Sequence, residues 1–321
     1  MRDATEQWFP RRTWTRPTWT AAELTAARAG RTVSVVLPAL DEEATVGGVV
    51  AAVRPLLGTL VDEIVVVDSG STDATVARAR AAGARVVSRD AVLREIPVLA
   101  QIPVRPGKGE VLWRSLAATS GDLVVFLDSD LVDLGPDFVV NLLGPLLTVD
   151  GVALVKGFYH RPLRLPSSGM ADAGAALTGG GRVTELTARP ALAALRPELS
   201  GVVQPLGGEY AATRELLESL PFAAGYGVEI GLLLDTHTTR GLDAIAQVDL
   251  GVRKHRHRSL RALGATAAEV LDAVLRRCVP GHPGADPLTQ FVPVDGDWLS
   301  DEQAVATTDR PPLATQRATG S

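Results

Sequence analysis

Two carboxylates one residue apart, Asp128 and Asp130 on either side of Ser129, stand directly after the apolar run Leu123-Val124-Val125-Phe126-Leu127. A run of this kind, rich in β-branched residues, is the pattern of a strand buried on both faces. In open α/β sheets, ligands bind beyond the carboxyl ends of the strands. Carboxylates placed there suit a hard divalent cation that also touches a phosphate. Taken alone, the pair also fits a helix cap or a solvated turn.

Two earlier segments repeat the arrangement. Val33–Leu37 runs into Pro38-Ala39-Leu40-Asp41-Glu42-Glu43, and Ile64–Val67 runs into Asp68-Ser69-Gly70-Ser71-Thr72-Asp73. Successive strands ending in acidic and hydroxyl residues point to a nucleoside pocket at one sheet edge. The first segment alone also fits an acidic helix start favoured by the macrodipole. Lys108 sits between Gly107 and Gly109, a poor helix or strand context, and its cation suits a pyrophosphate or a sugar as well as an exposed turn. D-x-D after an apolar strand is what a nucleotide-sugar glycosyltransferase needs.

Further along, Gly179-Gly180-Gly181 precedes Arg182, and Arg253-Lys254-His255-Arg256-His257-Arg258 forms a basic run. Backbone N–H groups in a glycine turn and arginine forks both recognise anions. Two basic clusters favour a phosphorylated carboxylate over a neutral sugar or lipid. Read alone, the second run is equally a solvated basic surface.

The elements that must position these residues follow from periodicity. Val46, Val49, Val50, Val53 and Leu57 fall at helical spacing. A helix that Ser71 or Thr72 caps and Gly83 ends follows the second strand. Arg85–Ser88 reads as a third strand, and a helix from about Gly109 to Ala118 leads to Leu123. This β-α-β-α rhythm implies a parallel sheet covered by helices. No G-x-G-x-x-G follows the first strand, and Gly107-Lys108-Gly109 lacks the phosphate-loop spacing.

The chain has 321 residues, 46% hydrophobic and 21% charged, with net charge −5. That is ordinary for a globular protein and argues against a general nucleic-acid binder. The single cysteine, Cys278, excludes an internal disulfide and reads as a small buried hydrophobe. No apolar run reaches membrane-span length and no secretory h-region is seen, so the expected location is the cytoplasm. The Trp8, Trp14 and Trp19 side chains of the N-terminal arm are expected to pack on the body or on a second subunit. The pair Ile96-Pro97-Val98 and Ile102-Pro103-Val104 reads as a loop insertion. The polar stretch from about Asp295 to Ser321 is expected to be disordered at its end.

The strand-end motifs together resemble those of GT-A glycosyltransferases. Four longer motifs, Gly179–Leu186, Gly207–Ala211, Gly225–Gly231 and Gly251–Arg256, resemble the actinobacterial glucosyl-3-phosphoglycerate synthases. The resemblance runs from about Val33 to Gln290. It implies an α/β GT-A fold, a Rossmann-like mostly parallel sheet flanked by helices, with a smaller C-terminal acceptor-binding part. The implied division is an arm at 1–30, a nucleotide-sugar half at 31–157, an acceptor half with dimer contacts at 158–290, and a polar tail at 291–321.

The same resemblance implies a retaining enzyme that moves glucose from UDP-glucose to the 2-hydroxyl of 3-phosphoglycerate, using Mg²⁺ or Mn²⁺, as a homodimer in the making of methylglucose lipopolysaccharide precursors. Pro38, Ala39, Leu40, Glu42 and Ser69 would hold uridine and ribose. Lys108, Asp128 and Ser129 would lie at the nucleotide, and Tyr226 and Glu229 at the donor sugar. Asp130 and His255 would ligate the metal, and Arg253 and Arg258 would face the diphosphate or acceptor. Gly181, Arg182, Thr184 and His257 would bind 3-phosphoglycerate, with His257 standing where the resemblance implies asparagine. Asp130, Lys108 and Glu229 are the residues expected to carry catalysis. The competing readings are the same transfer from GDP-mannose, a sugar-phosphate nucleotidyltransferase, and a silent nucleotide-binding protein.

Overall fold

The structure, a computed structural model, describes residues 2–93, 99–160, 181–252 and 260–318. In chain order its elements begin α1 (Arg2–Arg12), β1 (Thr13–Trp14), α2 (Ala21–Ala27), β2 (Val33–Ala39), α3 (Val46–Val53) and β3 (Glu63–Asp68). Next come α4 (Thr75–Ala82), β4 (Arg85–Ser88), α5 (Lys108–Ala118), β5 (Leu123–Phe126), α6 (Asp137–Thr148) and β6 (Leu154–His160). The second half holds α7 (Arg189–Leu195), β7 (Tyr210–Thr213), α8 (Arg214–Ser219), α9 (Val228–Arg240), β8 (Ile245–Val252) and α10 (Leu260–Cys278). A ribbon of β9 (Leu288–Val294) and β10 (Asp297–Gln303) and a last helix, α11 (Leu313–Ala318), complete it.

Eight strands form one sheet in the order β1-β8-β6-β7-β5-β2-β3-β4. All neighbouring pairs are parallel except those made by β7, which runs against both β5 and β6. The central strands β2, β3 and β5 are buried on both faces because side chains alternate along a strand and helices cover each side. In β2, Val33, Val35 and Leu37 enter one core while Val36 enters the other. In β5, Val124 and Phe126 face the α5 side with Trp113, and Leu123 and Val125 face α3 and α6. The chain builds outward from β2 to β3 and β4, then returns to place β5 on the other side of β2. The switch point therefore lies between β2 and β5, where such sheets open a crevice. β2, β3, β5, β6 and β8 end at this edge, and the reversed β7 begins there.

One expectation from sequence is met and three change. The tryptophan arm belongs to the body: Trp8 is buried, its indole N–H donates to the Ile245 carbonyl at 2.9 Å, and β1 pairs with β8 at the sheet edge. Leu57 lies beyond α3 and is exposed, because Pro55 starts a separate turn and turns Leu56 inward instead. Ser71 and Thr72 do not cap α4, which starts at Thr75 with no side-chain cap and ends at Gly83. Asp68 takes the N–H groups of Gly70 and Ser71, so the turn is capped from the strand end rather than from its own hydroxyls. Of the polar C-terminal stretch, residues up to Ala318 belong to the fold: β9 and β10 form an antiparallel ribbon and Leu313 is fully buried, while residues 319–321 lie outside the described residues. Its polarity reflects ion pairs and backbone bridges rather than disorder. Cys278 is half-buried against the core, and burial pushes its thiol up.

Candidate active site

The loops after β2 and β3 are locked to each other through their acidic residues. Asp41, in a left-handed conformation (φ 54°), accepts from the Thr72 N–H at 2.8 Å, and its own N–H donates to the Ser71 hydroxyl. Glu43 accepts from the Ala74 N–H, and the Glu43 N–H donates to Asp73. These carboxylates and hydroxyls are spent on the turn. Leu40, 56% exposed, Glu42, whose carboxylate accepts from the Thr45 hydroxyl, and Ser69 line a cavity of about 280 Å³ at the switch point.

Pro38 and Ala39 close one wall of this cavity, and Ser129 ties the β5 end to it by donating to the Pro38 carbonyl at 2.6 Å. Asp128 and Asp130 line the same space, as do Lys108 and Tyr226. The structure thus gathers at one edge the nucleotide-side residues expected from sequence. Arg89, Gly107 and Val111 also line it and were not anticipated. Arg89 directly follows β4, so the strand-end rule that located Asp68 and Asp128 would have found it.

Lys108 is the electrostatic centre. Its ammonium donates to Asp128 at 2.5 Å and to Glu229, on the first turn of α9, at 2.7 Å. Burial alone would push this lysine down, but Asp128 and Glu229 outweigh it and hold it well above the usual lysine range. Lysine has three donors, and among the described residues these two carboxylates engage two of them. The flanking glycines have a steric cause. A Cβ at Gly107, whose φ is 100°, would come within 2.9 Å of the Gly225 Cα, and one at Gly109 within 2.0 Å of the Ala223 carbonyl oxygen. Lys108 thus opens α5 pressed against the turn Gly225–Gly227 that carries Tyr226. A helix N-terminus of this kind favours an anion.

On the opposite side Gly208, just before β7, backs the acidic pair: a Cβ there would sit 2.4 Å from the Asp128 carboxylate. Beneath it lies Lys156, buried in β6, which donates to the Gly207 carbonyl at 2.6 Å and stands over the Tyr210 ring. Burial lowers it from 10.5 to about 8; Glu229, Glu209 and Asp128 act upward and Lys108 downward. A charged residue inside the apolar stretch Leu154–Phe158 was the signal that could have found it. Below pH 8 both folded and unfolded states hold this proton, so the full penalty of the buried ammonium is present. From there to 10.5 the unfolded chain holds more protons, so stability rises with pH. The unfolding free energy of wild type minus that of Lys156→Met is therefore expected to rise by ~2 kcal/mol between about pH 7.5 and 9.5 in urea titrations. A flat difference would remove the assignment.

The acceptor-side residues stand apart from this cavity. Thr184 is buried, Gly181 half-buried and Arg182 exposed, ahead of α7, and none of them lines it. Arg253, His255, His257 and Arg258 lie outside the described residues, as do Gly179, Gly180 and the Ile96-Pro97-Val98 segment. β8, which Arg253 directly follows, ends at the edge where Asp128 and Asp130 sit. Among the described residues no group of three or more His, Cys, Asp or Glu is arranged to hold a metal. Oxygen donors at Asp130 have the hardness that Mg²⁺ or Mn²⁺ requires.

Residues 34–160 match the family model described as glycosyl transferase family 2. The glucosyl-3-phosphoglycerate synthase of Mycolicibacterium smegmatis is 60% identical over 311 residues, covering 97% of this chain and 98% of that protein. The crystal structure of glucosyl-3-phosphoglycerate synthase from Mycobacterium tuberculosis in complex with Mn²⁺, UDP-glucose and phosphoglyceric acid is similar with TM-score 0.83 at 58% identity, covering 95% of this chain and 98% of that one. The same enzyme in complex with Mg²⁺ and UDP gives TM-score 0.84 at 58% identity, covering 95% and 99%. Likeness of this order across nearly the whole of both chains, on a mostly parallel sheet whose switch point carries the acidic pair, means that this chain belongs to the glucosyl-3-phosphoglycerate synthase family of GT-A glycosyltransferases.

Proposed function

We infer that the chain transfers glucose from UDP-glucose to the 2-hydroxyl of 3-phospho-D-glycerate, releasing UDP and using Mg²⁺ or Mn²⁺. The observation that carries this reading is the Lys108–Asp128–Glu229 cluster, of which Lys108 and Asp128 line the switch-point cavity, in a chain 60% identical to a glucosyl-3-phosphoglycerate synthase. In this reading Pro38, Ala39, Leu40, Glu42 and Ser69 hold the uridine. Lys108 gives its third N–H to the diphosphate, and Tyr226 and Glu229 orient the glucose. Asp130 and His255 hold the metal, which when bound draws off charge from the diphosphate. Arg253 and Arg258 complete the field around the leaving group. Gly181, Arg182, Thr184 and His257 take the phosphorylated acceptor, dividing the chain into a nucleotide-sugar half (31–157) and an acceptor half (158–290).

The transfer breaks the bond from glucose C1 to the diphosphate and forms one from C1 to the acceptor oxygen. Retention follows if the acceptor attacks from the face the leaving group vacates, with its proton passing to a diphosphate oxygen. The protein's part is to hold charge where it develops, with groups fixed beforehand by burial. Glu229 is already bound to Lys108 at 2.7 Å, which favours a positioning role for it over that of a covalent nucleophile.

The enzyme acts as a cytoplasmic homodimer in this reading. The β9–β10 ribbon leaves Phe291 and Trp298 on one face, each more than half exposed, an apolar surface that a second copy would cover. Among the described residues no helix is long and apolar enough to cross a membrane. The test is an assay with UDP-glucose, 3-phosphoglycerate and Mg²⁺, omitting each in turn and replacing the donor by GDP-mannose. UDP release that requires all three is expected. GDP release from GDP-mannose at a comparable rate, or pyrophosphate release from UTP, would overturn the assignment.

A further inference from the structure

The far C-terminus reaches the donor lysine from behind. After the β9–β10 ribbon the chain crosses α10 and α5, and its principal anchor there is Arg310, 5% exposed. The guanidinium donates to both oxygens of Glu110, Nε to Oε2 at 2.5 Å and Nη2 to Oε1 at 2.8 Å, and to the Pro103 carbonyl. It lies 5.2 Å from the centre of the Trp113 ring, whose N–H donates to the Pro311 carbonyl. The Arg310 backbone bridges Phe222 in both directions, at 2.8 and 3.0 Å. Glu110 stands two residues after Lys108 in the first turn of α5.

That first turn needs an external restraint. Gly107 and Gly109 on either side of Lys108 have the least intrinsic conformational preference, and the first N–H groups of a helix lack intrahelical partners. We propose that Arg310 is a positioning residue for Lys108: by gripping Glu110 and bridging Phe222, it fixes the first turn of α5 against the chain leading to Gly225, so that the lysine meets the donor diphosphate in one orientation. A buried ion pair is by itself weak support for stability, whereas a forked, two-oxygen grip sets direction. Glu110 also holds Arg114, so loss of Arg310 leaves the carboxylate paired and the chain able to fold.

The proposal rests on the donor reading above, and its test separates the two. UDP affinity in Mg²⁺ is measured by calorimetry on the full chain for wild type, Arg310→Met, Lys108→Ala and the double variant, with KM values for both substrates. Arg310→Met is expected to weaken UDP binding about tenfold and to raise KM for UDP-glucose alike, leaving KM for 3-phosphoglycerate within about twofold. In the Lys108→Ala background the same substitution should change UDP affinity by less than about twofold, the signature of coupled residues. Arg310→Lys, which keeps the charge but not the fork, should recover only part of the loss. Equal losses in both backgrounds, or unchanged affinity with only a lowered melting temperature, would overturn the proposal. If Arg310→Met does not fold, Glu110→Gln enters the same cycle with the same criteria. A wild type that binds UDP but transfers no glucose would defeat the reaction reading while leaving the cycle readable.

Discussion

Asp130→Ala is expected to lower glucosyl transfer by at least ~10³-fold, with a melting temperature close to wild type. A cation acting on a departing diphosphate supplies several kcal/mol to the transition state, and each 1.4 kcal/mol is about a factor of ten. Asp130 is half-buried in the cavity wall beyond the end of β5. In the proposed reading, removing its carboxylate would therefore take an oxygen donor from the metal without opening a hole in either core. UDP affinity measured with and without Mn²⁺ should differ in wild type and coincide in the variant. Turnover near the wild-type rate, or an undiminished response to Mn²⁺, would strip Asp130 of its metal role.

Lys108→Ala is expected to cost both activity and stability. Losing one fixed cationic donor aimed at developing charge costs about 10²- to 10³-fold in rate. Glu229, 4% exposed, and the partly buried Asp128 would then face each other without the ammonium that joins them, with only the field of the buried Lys156 to offset their charge among the described residues. Breaking a buried pair from one side costs about 3–5 kcal/mol, and the exposure of Asp128 brings the expectation to the lower end, ~3 kcal/mol. Because both carboxylates hold the wild-type ammonium well above the usual lysine range, Lys108 stays charged through the alkaline range where Lys156 titrates. Urea unfolding at neutral pH and initial rates with UDP-glucose measure the two losses. A variant of full stability would mean that the carboxylates relax apart, and one of full activity would remove Lys108 from the donor site.

Much of the cavity was legible because its residues follow strands whose patterns are local. Apolar β-branched runs identify β2, β3 and β5, and parallel neighbours must end at one edge, so Pro38–Glu42, Ser69 and Asp128–Asp130 converge by topology alone. The capping of α4 was misread because Ser71 and Thr72 have the right side chains for a cap. Asp41 and Asp68, from two different strand ends, compete for the same turn and win. The C-terminal stretch was misread because polar composition is the mark of disorder only when no partner is at hand. Here Arg310 and Asp309 meet Glu110, Arg276 and Arg277, all distant in sequence.

By itself, the sequence determined the strand-helix rhythm, the sheet edge that carries chemistry, and the types of side chain delivered there, since each depends on periodicity and propensity within a few residues. Its motifs also carried the family resemblance and with it the expected substrates. Only the tertiary structure decided that β7 runs against its neighbours to bring Gly208 behind Asp128, that Lys108 is shared between Asp128 and Glu229, and that Lys156 is buried beneath them. It alone decided that the two ends of the chain close on the body, Trp8 beside Ile245 and Arg310 upon Glu110. Those arrangements depend on which distant surfaces exclude water from one another, and although a lysine inside an apolar strand hints at burial, no local pattern of residues records the partners.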